Sequence, residues 1–151
     1  MIDRILALLA LLGSGLVTGV FFAVAVSTVP ALMAMPPGRY IYAHKLLGRN
    51  WDPAMPIIVL TATFAAAGWA IGAASPAVRV SAAVVTVLML GVSGVSHLCN
   101  VPINKRMRAV DPDAVPADWA DPRPIWRRWH LLRTALAVGA FLLTSVAATW
   151  T

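Results

Sequence analysis

The chain has 151 residues, of which 60% are hydrophobic and 12% charged, against roughly 25% charged in an ordinary soluble domain. This composition excludes a water-soluble globule. The formal net charge of +6 says nothing about partners until the basic residues are located.

No acidic or basic residue lies between Arg4 and Arg39, between Asp52 and Arg79, between Arg79 and Lys105, or after Arg133. Each interval is close to or above the roughly 20 residues that cross the hydrocarbon of a bilayer. Continuous apolar runs of this length read as helices, because only helices and closed barrels satisfy their own backbone in lipid and barrel strands alternate. The expected fold is all-α, a four-span transmembrane antiparallel helix bundle in a single domain. Its spans are Ile5–Met33, Pro56–Ala74, Val80–Val101 and Ile125–Thr149.

Arg39, Lys45 and Arg49 follow the first span, and seven more basic residues lie from Lys105 to Arg133. Only Arg4 and Arg79 remain for the other side. The positive-inside rule then places loops 34–55 and 102–124 in the cytoplasm and both termini outside, in the plasma (inner) membrane. The surplus charge is topological, and no nucleic-acid partner is expected. Cys99, the only cysteine, permits no intrachain disulfide. The first apolar run is far longer than the roughly 7 to 15 residues of a signal peptide's core and is read as a span.

Along the first span, Gly15 and Gly19 form a small-xxx-small face, as do Gly68 and Gly72 in the second. Such faces let helices approach closely, either between these two spans or between copies in a homo-oligomer. Pro30 predicts a kink, and Pro36-Pro37-Gly38 ends the element. In the loop that follows, Ile41, Leu46 and Leu47 suggest a short interfacial helix, with Tyr40, Tyr42 and Trp51 as headgroup-level anchors. His44 reads as solvated or interfacial. Ser75-Pro76 is a tight return between the second and third spans.

His97, Asn100 and Asn104, three and then four residues apart, fall on one stripe of an uninterrupted helix. Pro102 interrupts it by removing a backbone donor, so the stripe can break after Asn100 and leave Asn104 to cap a short basic helix starting at Lys105. The connection that follows, with four of the six acidic residues and four prolines, reads as an irregular surface loop. Trp126, Trp129, His130 and Arg133 share one face of the fourth span. Arg133 can snorkel, pair with a loop aspartate or meet a lipid phosphate.

The run Asn100-Val101-Pro102-Ile103-Asn104, an aspartate-bearing loop, and Trp126-x-x-Trp129 with Arg133-Thr134 beyond it resemble the small four-helix membrane proteins related to fungal anthrone oxygenases. The similarity covers most of the chain, with its specific motifs in the second half. One position departs: members often carry Asn-His directly after the second tryptophan, where this sequence has His130-Leu131.

The resemblance implies oxygenation of a hydrophobic polycyclic phenol without flavin or haem. A base would remove a proton from an activated carbon, leaving an anion able to reduce oxygen, and His97 or His130 would serve. Arg133, Asn100 and Asn104 would stabilise the developing oxyanion, and Trp126 and Trp129 would stack on a flat substrate. The plainer alternative is a non-catalytic bundle that binds membrane lipid or a partner subunit, its polar groups only joining helices and its tryptophans only anchoring the interface. A pocket of about 300 Å³ or more among His97, Asn100, Trp126, Trp129 and Arg133 separates the two. A third alternative gathers His44, His97 and His130 as a zinc or copper site.

Overall fold

The computed structural model describes residues 1–150 and is all-helical among them, with four helices long and apolar enough to cross a membrane. We label them α1 (Ile2–Ala34), α3 (Ala54–Gly72), α4 (Pro76–Ala109) and α5 (Arg123–Ala148), and a shorter helix α2 (Pro37–Leu47) lies between the first two. The chain is a multi-pass membrane protein.

The interior is built from small side chains. Ala10, Ala62, Ala66, Ala82, Ala137, Ala140 and Ala147 are buried, while Leu12, Phe64, Ile71 and Val87 are exposed. That inversion suits a bilayer, where association comes from close backbone packing and large apolar groups face lipid. At Gly13 a Cβ would stand 2.7 Å from that of Ala62, so only glycine admits this approach. Gly68 lies against Leu6 and Gly72 against Asp3, so this glycine pair is spent within the chain, on α1. The pairs 3 with 72, 6 with 68 and 13 with 62 show α1 and α3 running in opposite directions. Gly91 against Leu136 and Leu88 against Gly139 show the same for α4 and α5. Several hydroxyls inside the spans bond to the carbonyl four residues back, as Thr63 does to Val59 and Thr144 to Ala140, which satisfies them without water.

Both long helices contain one π-helical turn, Val24–Thr28 in α1 and Ser96–Asn100 in α4, each ending two residues before a proline. A proline ring collides with the carbonyl four residues earlier. For Pro30 that is Val26 and for Pro102 it is Leu98, each the middle residue of its π turn. The widened turn absorbs the collision, and the helix continues. The expected break at Pro102 is therefore absent: α4 runs on to Ala109, and Asn104 is interior to it rather than a cap.

Beyond the π turns the first and third connections fold onto the bundle end. The α2 helix exists, but its inward face is Tyr40, Ile41 and His44, all buried, whereas Leu46 and Leu47 are exposed. Tyr40 and Ile41 pack with Leu32 of α1 and Met107 of α4. Helix ends here are capped from outside: Arg123 donates to the carbonyls of Leu32, Met33 and Met35 at 3.2, 3.3 and 2.6 Å. Lys45 donates to that of Val110 at 2.7 Å. Cations at helix C-termini meet both unpaired carbonyls and the negative end of the macrodipole.

Candidate functional site

A cavity of about 230 Å³ opens at this end of the bundle, between α1, α2, α3, α4 and α5. Val20, Phe21, Leu32, Val59 and Leu60 form apolar wall, and His44, Asn104, Trp126, His130 and Arg133 form a polar side. Lys105, Arg108 and Asp52 stand at the same cavity, the last two joined at 3.6 Å.

The polar side is an ordered column. His44 meets Trp126 edge to face, with centroids 5.5 Å apart. Trp126 stacks on His130 at 5.2 Å, and His130 meets Phe21 edge-on at 5.7 Å. The Arg133 guanidinium covers the Phe21 ring at 4.4 Å. Trp126, His130 and Arg133 are four and then three residues apart, one face of α5, as the sequence spacing predicts. Trp129 is half-buried on α5 and does not line the cavity.

His130 is fully buried with both ring nitrogens engaged. Nε2 lies 3.1 Å from the Phe21 carbonyl, which can only accept, so Nε2 carries the proton. Nδ1 lies 3.2 and 3.0 Å from Arg133 Nε and Nη2, which can only donate, so Nδ1 presents its lone pair. The ring is held neutral and its basic nitrogen is covered. In this arrangement His130 leaves no uncovered lone pair toward the cavity. Phe21 stands three residues before the first π turn, where the α-helical ladder is interrupted, and π turns often mark such sites.

Arg133 also donates to Ser96 Oγ at 3.3 Å, at the start of the second π turn. Its other neighbours are the neutral imidazole and the Phe21 face. Among the described residues the two ion pairs are Arg108 with Asp52 and Arg123 with Asp121. Neither includes Arg133, so the expected pairing with a loop aspartate is not made.

Asn100 is fully buried and donates to the Trp126 carbonyl at 3.2 Å, while its own Oδ1 has no partner among the described residues. It does not line the cavity. Its observed link is between helices, the outcome that the plainer alternative anticipates for it. Asn104, one turn on, lines the cavity instead, and its Oδ1 accepts from Trp126 Nε1 at 2.9 Å and from His44 Nε2 at 3.1 Å. The stripe read from a regular helix is divided because residues three apart no longer share a face across a π turn: Asn100 points inward and His97 is exposed. His97 reaches the cavity rim, with Nδ1 on the Ser93 carbonyl at 3.0 Å.

His44 corrects the reading of a solvated residue. It is 8% exposed and placed against Trp126 and Asn104 by α2. Burial lowers its pKa from the usual 6.5, the Asn104 bond works against that shift, and the Arg108 charge adds to it. Neighbouring Tyr40 is pushed up to about 12, chiefly by burial, so its phenol keeps its proton. The sequence carried one signal for this: Tyr40, Ile41 and His44 occupy one face of a helix that starts at a proline.

His44, His97 and His130 are not gathered. Among the described residues no three His, Cys, Asp or Glu side chains form a group able to hold a metal ion.

A family model described as anthrone oxygenase matches residues 44–143, which include Asn104, Trp126, His130, Arg133 and, at its first position, His44. No curated protein and no solved structure matches the chain.

Proposed function

The chain belongs to the anthrone oxygenase family, and from that premise we propose that the cavity oxygenates a hydrophobic aromatic substrate of the anthrone kind, without flavin or haem. Arg133 is the observation that carries this reading. A guanidinium within a spanning helix is costly and seeks an opposite charge, yet here its partners are all neutral. A substrate enolate or phenolate supplies the missing charge. Donors fixed before the reaction stabilise charge that develops in it.

In the proposed reaction the methylene between the two aromatic rings loses a proton, and the electron pair spreads onto the ring carbonyl oxygen. That anion gives one electron to dioxygen, the two radicals combine into a hydroperoxide, and loss of water leaves a second carbonyl. The sum is CH₂ plus O₂ giving C=O plus H₂O. Trp126 and Phe21 line the cavity and offer aromatic contact for the ring system. The cavity, at about 230 Å³, is smaller than the sequence-based threshold. A tricyclic ligand would therefore extend through its open side.

The distribution of basic residues supports a cytoplasmic position for this end of the bundle, with both termini outside. Labelling of a cysteine introduced at Val115 from the outside of intact cells would refute that orientation. For the activity, oxygen uptake and quinone formation from an anthrone are measured with the purified protein in lipid. Turnover above the buffer rate supports an oxygenase. A protein that is stabilised by lipid but consumes no oxygen with any anthrone supports the non-catalytic bundle instead, a reading that the packing role of Asn100 favours.

A further inference from the structure

We propose that His44 is the proton acceptor of this site and that Asn104 and Trp126 are positioning residues holding it in the tautomer that can act. The proposal rests on reading the cavity as an oxygenation site.

The geometry leaves one assignment of protons. An indole N–H only donates, so the Asn104 amide must turn Oδ1 toward Trp126 Nε1, 2.9 Å away. The same oxygen lies 3.1 Å from His44 Nε2 and can only accept, so Nε2 carries the hydrogen. In the neutral ring the lone pair is then on Nδ1, which makes no hydrogen bond among the described residues and is not sealed from the surroundings. His44 lines the cavity.

The other two histidines fare worse. The lone pair of His130 is covered by Arg133. His97 keeps a lone pair on Nε2, since Nδ1 bonds to the Ser93 carbonyl, but its ring is exposed and has this single restraint. His44 is held by a hydrogen bond on one atom and by ring contacts with Trp126 and Tyr40 at 5.5 and 5.4 Å. Arg108 and Lys105 of α4, Asp52 of the α2–α3 linker and Tyr40 of its own helix are the charged and titratable groups around it. Arg108 is paired with Asp52. Burial together with the Arg108 charge favours the neutral ring that a base requires.

His44 acts twice. First the substrate C–H bond breaks, the proton goes to Nδ1 and the electron pair enters the ring system. The imidazolium is steadied by the Asn104 oxygen already bonded to Nε2–H. After dioxygen has added, the imidazolium returns its proton to the peroxide. Neutral His44 then takes the second hydrogen from the same carbon as the O–O bond breaks and the carbonyl forms. The departing hydroxide collects that proton and leaves as water.

The test separates proton removal from oxygen chemistry. Full-length protein in lipid nanodiscs is incubated anaerobically with anthrone in D₂O, and deuterium uptake at the methylene is followed by NMR. Binding of anthraquinone, which has no acidic C–H, is measured in parallel by quenching of tryptophan fluorescence. Wild-type protein should accelerate exchange. His44→Gln should lower the accelerated rate by roughly 10²-fold or more, the usual worth of a positioned base, with anthraquinone binding kept. His44→Phe, which preserves a ring against Trp126, should behave alike and serves if the glutamine variant does not fold. Asn104→Leu should lower the rate by about tenfold and move the pH midpoint of exchange, which a merely structural contact would not do. Wild-type exchange in both His44 variants, or loss of exchange in His97→Gln instead, would overturn the assignment and leave the cavity reading intact. Wild-type protein that neither binds anthraquinone nor accelerates exchange would overturn both.

Discussion

Trp126 and His130, four residues apart on α5, lie ring over ring with centroids 5.2 Å apart and planes 3° from parallel. The stack divides the polar side of the cavity, with the His44–Asn104 bond on one side and the His130–Arg133 bond on the other. The indole thereby holds apart a nitrogen that is free and one that is covered. Trp126→Phe keeps an aromatic face but removes the Nε1 donor to Asn104. A single lost hydrogen bond of this kind costs about 1 kcal/mol, so the melting temperature should fall slightly. The larger effect should be on turnover, because the amide that orients His44 is no longer anchored. Melting curves and anthrone turnover on the same preparation check this.

Arg133→Leu removes a charge that has no acidic partner among the described residues. Loss of a donor to a developing oxyanion typically lowers the rate by about 10² to 10³-fold. Insertion and yield should be unchanged or better, since a costly guanidinium leaves the span. Arg133→Lys should recover part of the rate by restoring charge without the two-nitrogen contact to His130. Full turnover in Arg133→Leu would remove the proposed oxyanion role.

Asn100→Ala should show the opposite pattern. Among the described residues its amide donates to the Trp126 carbonyl alone and its Oδ1 is unpaired, so the substitution loses one bond and one buried orphan together. The expected change in stability is within about 1 kcal/mol, with turnover retained. Loss of turnover with an unchanged melting curve would place Asn100 in the chemistry after all.

Arg123 joins three carbonyls at the end of α1 to Asp121 and covers the Tyr40 ring at 5.1 Å. Hydrogen bonds from a charged donor are worth about 1.5 to 3 kcal/mol. Arg123→Gln should therefore loosen the α1–α2 junction measurably. Faster amide hydrogen exchange from Gly38 to His44, with the rest of α5 protected, is the expected signature. Unchanged exchange there would show the cap to be dispensable.

The folded protein holds the pKa of His44 below its usual 6.5, chiefly by burial. Between that lowered value and 6.5 the unfolded chain binds a proton that the folded one does not, so stability falls as pH falls through this window and levels off above about 6.5. In His44→Gln the decline in melting temperature below pH 6.5 should be shallower than in wild type. Equal slopes would mean that His44 does not titrate differently on folding.

The four spans were legible because charge spacing alone records a bilayer: the charged residues are clustered, and each of the four intervals without one is about long enough for a helix to cross the hydrocarbon. The face shared by Trp126, His130 and Arg133 was legible for a similar reason, being regular α-helix throughout. What the sequence hid had two causes. Counting by 3.6 residues fails across Ser96–Asn100, so His97 and Asn100 appeared as neighbours on one stripe when the turn between them is wide. And α2 is short and offers two apolar faces, Ile41 with Leu46 and Leu47 or Tyr40 with Ile41 and His44, so its sequence does not decide which one turns inward; the structure buries the second. The proline pair was visible, but its result is set by whether surrounding helices can accept a wider turn, which is a property of packing.

Each π turn carries one residue more than an α-helical path of the same length would use. Deleting Leu98 would let α4 close into regular α-helix without changing its apolar character in any way that hydropathy would register. Residues after the deletion would keep nearly the same rotation and rise, because the wide turn already spends the extra residue, but the Pro102 ring would again collide with the carbonyl four residues before it and bend α4 there, drawing Asn104 away from both Trp126 and His44. The site thus depends on the count of residues in a helix as well as on their kind. A shortening that leaves every named side chain in place would still dismantle it.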